Sequence, residues 1–238
     1  MIIKNIFSFV TSITSLFIII LFSIIGSKAD ENNIKYYSKD EGILSIMYHR
    51  FNESEYPSTN IQMDIFKEHI QIIKKSNFNF HNPNKFKEQF NTIRLKKEIL
   101  ITIDDGFQSF YFEAWPYLKK NKIPFILFVS TEPVGKNGYM NWDQIREIEK
   151  EPFALIGHHS HSHEYLIDET NDKFILDIEK ANKIFLRELG YVPDLFSYPF
   201  GEYSRLMRDY ISKNFEFAFG QHSGVIDVNK DKFELPRF

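Results

Sequence analysis

The stretch Ile99-Leu-Ile-Thr-Ile-Asp-Asp-Gly-Phe107 decides the fold class that the sequence predicts. Residues 99–103 are apolar or β-branched, which is typical of a strand buried on both faces of a parallel sheet. Two adjacent carboxylates, Asp104 and Asp105, follow the strand, and Gly106 allows the backbone to turn sharply. Open α/β sheets and barrels place their chemistry at this end of their strands. The alternative is an ordinary Asp-Asp-Gly turn, which this stretch alone does not exclude.

The composition fits one globular domain with ample core. The chain has 238 residues, of which 43% are hydrophobic and 16% aromatic, and it has no cysteine. The absence of cysteine excludes disulfides, thiolate metal sites and a cysteine nucleophile. A net charge of -3 without a long basic run gives no electrostatic footprint for nucleic acid.

The N-terminal segment predicts export. Residues 6–26 are uncharged and mainly apolar, and Ser27-Lys28-Ala29 places small residues where a signal peptidase cleaves. Residues 1–29 are therefore predicted to be a signal peptide or, if uncleaved, a membrane anchor, because about 20 apolar residues span a bilayer. A buried helix of the folded domain is the alternative, and the lack of a charged face argues against it. We expect a periplasmic, extracellular or inner-membrane-anchored protein.

Strands alternate with helices along residues 42–238, the predicted mature domain. Strands are predicted at 42–48, 99–103, 124–130, 153–156, 194–198 and 215–219, and helices at 61–75, 109–120, from 142 onward, 171–189 and 203–213. This alternation predicts an α/β fold with a parallel sheet, closed or partly closed into a barrel.

Four of the eight histidines lie within Gly157-His158-His159-Ser-His161-Ser-His163. A solvated histidine-rich loop is the alternative, but a cluster at the end of a predicted strand favours metal binding. His159 and His163 are four residues apart, so one helical turn would bring both imidazoles to one side. With Asp105 as a third ligand they would form the open ligand set of a catalytic Zn²⁺, and Asp104 would be free to act as a base.

Three segments resemble the signatures of the polysaccharide deacetylases, also called carbohydrate esterase family 4 or NodB-homology domains. Thr102-Ile-Asp-Asp-Gly106 resembles T-F-D-D-G, His159-Ser-His-Ser-His163 resembles H-[ST]-x-[ST]-H, and Phe196-Ser-Tyr-Pro-Phe-Gly201 resembles F-R-x-P-Y-G. The resemblance implies a distorted (β/α) barrel that removes acetyl groups from sugar polymers. By position it implies Asp104 as general base and a divalent metal, usually zinc, held by Asp105, His159 and His163.

The resemblance also implies roles for Phe200 and His49. The family uses the backbone N–H at the position of Phe200 to stabilise the oxyanion, and an amide survives the change from the usual tyrosine. Met47-Tyr48-His49 resembles the exported poly-N-acetylglucosamine deacetylases, in which this histidine is the general acid. A hydrogen-bonded histidine at a strand end is the alternative for His49, and His222 competes for the acid role.

One departure from the family concerns the residue that holds the base. Ser197 stands where many relatives carry an arginine that orients the catalytic aspartate, and Arg237 is the candidate replacement. Trp142 and Tyr198 are candidate substrate-binding residues, with Tyr139 as a further aromatic wall. The alternative for Trp142 is a residue packed on the barrel at a helix start. His158 and His161 are expected to face solvent or to support the ligands.

The sequence therefore predicts a metal-dependent N-deacetylase acting on an N-acetylhexosamine polysaccharide. Membrane contact would come through residues 6–26. A non-catalytic glycan-binding protein on the same fold is the alternative, favoured by Ser197 and by the chain end at Phe238, since relatives usually continue further. A metallohydrolase acting on a phosphoester is disfavoured, because the sequence shows one metal set and no second carboxylate cluster.

Overall fold

The computed structural model describes residues 42–91 and 97–238. These residues contain nine strands: β1 (Gly42–Tyr48), β2 (Arg50–Phe51), β3 (Asn60–Ile61), β4 (Asn79–Phe80), β5 (Lys97–Ile103), β6 (Phe125–Val129), β7 (Ala154–His158), β8 (Leu195–Ser197) and β9 (Phe217–Phe219). The predicted export segment, residues 1–29, lies outside the described residues. Within the described ranges, no helix is both long and apolar enough to cross a membrane.

Strand β5 lies inside a parallel sheet with the order β1-β5-β6-β7-β8-β9, and β4 also pairs with the first part of β5. Residues 99–103 are all buried, which confirms the buried parallel strand predicted from their apolar run. β1 and β5 are in register over their whole length, with Tyr48 opposite Ile103. The residues that follow these two strands, His49 and Asp104, therefore lie at the same edge of the sheet.

The edges of the sheet are joined by the last described residues. Leu235 pairs with Phe219 of β9, and the Phe238 N–H donates to the Ser45 carbonyl of β1 at 2.8 Å. The Met47 N–H in turn donates to the Phe238 carbonyl at 2.7 Å. These bonds close a distorted (β/α) barrel in which a short irregular segment stands between the first and last strands.

Six helices of the described residues cover the sheet: α1 (Met63–Lys75), α2 (Phe86–Gln89), α3 (Trp115–Asn121), α4 (Trp142–Glu149), α5 (Asn171–Leu189) and α6 (Arg205–Asn214). Helix α4 begins at the predicted position, with a capping box between Asn141 and Gln144. Helix α5 ends at Leu189. The next residue, Gly190, caps the helix in the left-handed conformation, with a φ of 84°, as expected of a glycine at this position. A π-helical turn, Phe110–Ala114, precedes α3.

Candidate active site

Asp104 and Asp105 follow β5 in a strained turn that separates their side chains. The Asp104 N–H continues the ladder by donating to the Tyr48 carbonyl at 2.9 Å, and its side chain is fully buried. Asp105 has a φ of 74°, which is costly for a residue with a Cβ and is typical of functional sites. Its carboxylate lines a cavity. The two acids therefore occupy different environments.

The loop from His159 to His163 is irregular, so the predicted helical turn between the two histidines is wrong. Ser160 and His163 both have positive φ, 66° and 55°. The reason lies in the segment after β6, which takes the carbonyls that a helix would use internally. The Ser130 hydroxyl donates to the His159 carbonyl at 2.7 Å, and the Glu132 N–H donates to the His161 carbonyl at 2.9 Å.

This loop nevertheless brings His159 and His163 to Asp105. Their Nε2 atoms lie 3.4 and 3.0 Å from Asp105 Oδ1. Three ligand atoms each about 2 Å from one tetrahedral ion would lie about 3.3 Å apart. Asp105 Oδ1 is buried and has no hydrogen-bond partner of acceptable geometry among the described residues, although both nitrogens are near. The three side chains therefore fit a divalent cation.

The tautomer of His159 suits a metal ligand. Its Nδ1 lies 2.7 Å from the Ser197 carbonyl, which can only accept, so Nδ1 carries the proton. Nε2 is then the ring nitrogen that remains to bind a metal.

Charges at the cluster stabilise one another in the metal-free protein. Burial raises the pKa of Asp105, but His159 and His163 together lower it by more, so the carboxylate stays ionised. Burial lowers the pKa of His163, and the facing Asp105 raises it by more. The cluster thus holds a carboxylate that attracts a positive charge.

Arg237 holds the Asp104 carboxylate. It was the candidate replacement for the arginine that orients the base in many relatives. Nη1 and Nη2 of Arg237 donate to the two Asp104 oxygens at 2.7 and 2.9 Å, and both side chains are fully buried. The remaining donors reach Thr102 Oγ1, Ser197 Oγ and the Gly220 carbonyl, so all five guanidinium N–H groups have acceptors. Burial raises the pKa of Asp104, but Arg237 and then His159 lower it by more.

Ser197 is part of this network and explains the departure from the family signature. Its hydroxyl donates to Asp104 Oδ2 at 3.3 Å while accepting from Arg237 at 2.8 Å. The short side chain at this position is compatible with a guanidinium that comes from residue 237. The arginine is supplied by the segment that joins β9 to β1 instead of by β8.

His49 lies at the strand edge beside the two aspartates. Burial lowers its pKa below the ordinary value, although the charges of Asp104 and Asp105 act in the opposite direction. His222, its competitor, is exposed, and its carbonyl accepts the backbone N–H of Arg237 at 3.1 Å. Of these two histidines, His49 is the one that directly follows β1, beside the end of β5 that carries both acids.

A cavity of about 370 Å³ opens beside the cluster. Asp105, His163 and Phe200 line it, with Phe107 and Tyr139 on another side. Phe200 has a φ of 58°, is half exposed, and its ring centroid lies 4.9 Å from that of His163. The volume is within the range of small-ligand sites, so one sugar residue can enter next to the cluster.

Two predicted substrate-binding residues are corrected by their environment. Tyr198 has no exposed surface, stacks on Tyr203 at 4.4 Å, and belongs to a core cluster, so it cannot contact a polymer. Trp142 packs edge-on against Phe185 of α5, with ring centroids 5.8 Å apart, and does not line the cavity. This is the alternative given for it, a residue packed on the barrel at a helix start. Tyr139, in contrast, does line it.

The two remaining clustered histidines are buried, so they do not face solvent, which was one of the two expectations for them. The other expectation, support of the ligands, fits His158, whose Nδ1 accepts the Ser160 N–H at 3.1 Å. His158 is enclosed by Phe185, Phe196 and Phe215, and burial lowers its pKa to about 3. His161 hydrogen-bonds to Thr131 at 2.8 Å.

Several residues that line the cavity carry no motif. Ser130, Glu132 and Lys136 follow β6, whose end lies next to that of β7 in the sheet. The only sequence signal for these residues is that their loop follows a predicted strand next to the one that carries the histidines. Phe107 follows the Asp-Asp-Gly turn directly and could have been found by that position.

Comparison with known proteins identifies the family. Residues 92–216, more than half of the chain, match the family described as polysaccharide deacetylase. The chain belongs to this family, and the enzyme class predicted from the sequence, a polysaccharide deacetylase that hydrolyses amides, is confirmed.

Individual relatives agree with this assignment. The chain is 22% identical over 242 residues to the poly-beta-1,6-N-acetyl-D-glucosamine N-deacetylase of Staphylococcus aureus (strain MSSA476), covering 90% of this chain and 83% of the relative. The structure of IcaB from Ammonifex degensii superposes with a TM-score of 0.75 at 25% identity, over 83% of this chain and 91% of that one. The Streptococcus pyogenes deacetylase PplD gives a TM-score of 0.74 at 20% identity over the same shares. The predicted NodB-type barrel is confirmed.

Proposed function

We propose that this chain is a metal-dependent hydrolase that removes N-acetyl groups from N-acetylhexosamine residues of a cell-envelope or extracellular polysaccharide. The observation that carries the proposal is the Asp105–His159–His163 cluster beside a buried Asp104 that Arg237 holds with two hydrogen bonds. The names of the Staphylococcus aureus relatives support a poly-N-acetylglucosamine substrate.

Asp105, His159 and His163 would hold the metal, and we assign Zn²⁺ from the mixed nitrogen and oxygen donors. When bound, such an ion supplies Lewis acidity towards the acetyl carbonyl and lowers the pKa of water. Three protein ligands leave coordination positions open, as catalysis requires.

Asp104 is assigned as the general base. Its Oδ2 lies 3.7 Å from Nε2 of His159, so the carboxylate faces the same space as the metal ligands. Because Arg237 keeps the pKa of Asp104 below its ordinary value, the carboxylate is ionised at neutral pH and can accept the proton of the attacking water. The two Arg237 bonds also fix the direction from which the proton is accepted.

His49 is assigned to the leaving nitrogen and Phe200 to the oxyanion that forms when water attacks the carbonyl. His49 would donate a proton to the departing nitrogen, so that acetate and an amine are released. The Phe200 N–H would donate to the oxyanion, and the left-handed φ at this residue sets the direction of that amide. An oxyanion donor of this kind is worth about 3–4 kcal/mol.

Conversion of acetamides to ammonium groups makes the polymer cationic. A polysaccharide of the cell envelope lies outside the cytoplasm, so the proposed activity requires export. Residues 1–29 would direct this export as a signal peptide or retain the enzyme at the inner membrane through residues 6–26.

The proposal is tested by acetate release from acetylated glycan oligomers, using full-length protein loaded with Zn²⁺. We expect acetate from N-acetylglucosamine oligomers and none after His163→Ala, which removes one ligand. Protein that binds both Zn²⁺ and the polymer but liberates no acetate would instead be the non-catalytic glycan-binding protein. That alternative drew on the serine at position 197, and the contact between Arg237 and Asp104 removes this argument for it.

A further inference from the structure

One carboxylate outside every motif holds the loop that carries His159 and His163. Asp177, on helix α5, accepts the His161 N–H at 2.7 Å with one oxygen and the Ser162 N–H at 3.0 Å with the other. Both donors lie between the two histidines of the metal cluster. The contact therefore fixes the backbone from which the cluster is built.

The loop needs such an anchor because its conformation is strained. Two of its five residues, Ser160 and His163, have positive φ without being glycine. Conformations of this kind persist only when the surroundings over-determine them. The carbonyls of the loop are bound by the segment after β6, and Asp177 binds two of its amides.

Helix α5 gives Asp177 a fixed position relative to the barrel. Phe174 and Ile178, which flank it on the helix, are fully buried in the core. Bonds from backbone N–H groups to an ionised carboxylate are also among the stronger hydrogen bonds. Asp177 therefore binds the loop from a helix that the core holds in place.

We infer that Asp177 is a positioning residue for the metal site, acting through the backbone of residues 161–162 on the imidazole of His163. This inference rests on the proposed function. Without the carboxylate, His163 keeps its side chain but loses the geometry that brings Nε2 to 3.0 Å from Asp105. Metal affinity then falls although all three ligands remain.

The test compares Asp177→Asn with Glu179→Gln in full-length protein. Asparagine is nearly the same size, but its NH₂ group would face one of the two N–H donors. Glu179 lies two residues further along α5 and is exposed, and its carboxylate makes no hydrogen bond among the described residues, so its variant removes the same charge without touching the loop. Co²⁺ is the probe, since its visible spectrum reports the coordination geometry.

We expect Asp177→Asn to weaken Co²⁺ binding about 10- to 100-fold, as loss of a supporting hydrogen bond around a metal typically does, and to alter the spectrum. Glu179→Gln should match the wild type in both. An Asp177→Asn protein with unchanged Co²⁺ affinity and spectrum would overturn the inference, even if its melting temperature fell, because the carboxylate would then serve stability alone.

Two further measurements separate the remaining outcomes. If Asp177→Asn does not fold, amide exchange in the metal-free wild type decides: slow exchange at His161 and Ser162 supports the anchor, and exchange at the rate of exposed amides overturns it. Wild-type protein that binds no Co²⁺, or binds it equally well after Asp105→Asn, would overturn the proposed metal site and this inference together.

Discussion

Replacing Arg237 by methionine should leave Asp104 as a buried charge without its partner. Both side chains have no exposed surface, so solvent cannot screen the loss. Removing one member of such a pair typically costs about 3–5 kcal/mol of unfolding free energy. The change also leaves Thr102, Ser197 and the Gly220 carbonyl without their donor.

The pH dependence of this variant has a definite sign. In the wild type the pKa of Asp104 lies below its ordinary value, so its stabilising contribution is present above that ordinary value and is lost only as the pH falls through the lower one. Without Arg237, burial is the dominant influence and raises the pKa of Asp104. The acid limb of the activity profile should therefore move to higher pH.

Urea unfolding at pH 7 and a pH profile of kcat/KM measure both effects. Arg208→Met is the matched control, because Arg208 is partly exposed and pairs with Asp231 and Glu234 at the surface, where loss of an ion pair costs about 1 kcal/mol or less. If Arg237→Met lost no more stability than this control and kept the wild-type acid limb, Asp104 would not depend on Arg237.

Three further predictions test individual assignments. His49→Ala should lower kcat by about 10²–10⁴-fold with metal content unchanged, and His222→Ala should have little effect; the reverse result would move the acid role to His222. Burial lowers the pKa of His158 from 6.5 to about 3, so the unfolded chain binds more protons than the folded one between these two pH values. The free energy of unfolding should therefore fall as the pH decreases from 6.5 to about 3, by up to about 1.4 kcal/mol per pH unit, and this decline should be shallower in His158→Gln. Equal slopes in the two proteins would contradict the buried neutral histidine. Tyr198→Phe removes a buried hydroxyl that has no partner among the described residues, so stability should rise by about 1–3 kcal/mol with KM unchanged, whereas a raised KM would restore Tyr198 as a substrate ligand.

The sequence predicted those elements whose signal is local. Strand β1 and helix α5 have the predicted bounds, because an apolar run and a 3.6-residue apolar spacing are properties of the segments themselves. The end of α5 at Gly190 follows from the same local chemistry. The strand-end positions of the acids and histidines followed in turn from the alternation of strands and helices.

The loop 159–163 shows where local reasoning failed. A spacing of four residues suggested a helical turn, but three carbonyls of the loop and the amides of residues 161 and 162 are bound by residues 130–132 and by Asp177, which lie at least 15 positions away in sequence. Asp177 itself occupies an ordinary polar position of an amphipathic helix. Nothing in its local pattern distinguishes it from a solvated surface charge.

Burial produced the other differences. The signature placed Tyr198 beside the site, yet Tyr198 directly follows β8 and its side chain is buried in the core. Arg237 was found only because the family requires a partner for the base, since 133 positions separate it from Asp104 in the chain. Contacts of that separation come from the closure of the barrel and not from any local pattern.

The central claim is that the two adjacent aspartates have different roles: Asp105 binds the metal, and Asp104 accepts the proton of the attacking water. The direct measurement is zinc content together with acetate release from N-acetylglucosamine oligomers, in Asp104→Asn and Asp105→Asn. The account predicts that Asp104→Asn retains zinc but releases acetate at least about 100-fold more slowly, and that Asp105→Asn loses zinc as well. Near-normal acetate release by Asp104→Asn, or full zinc content in Asp105→Asn, would contradict it.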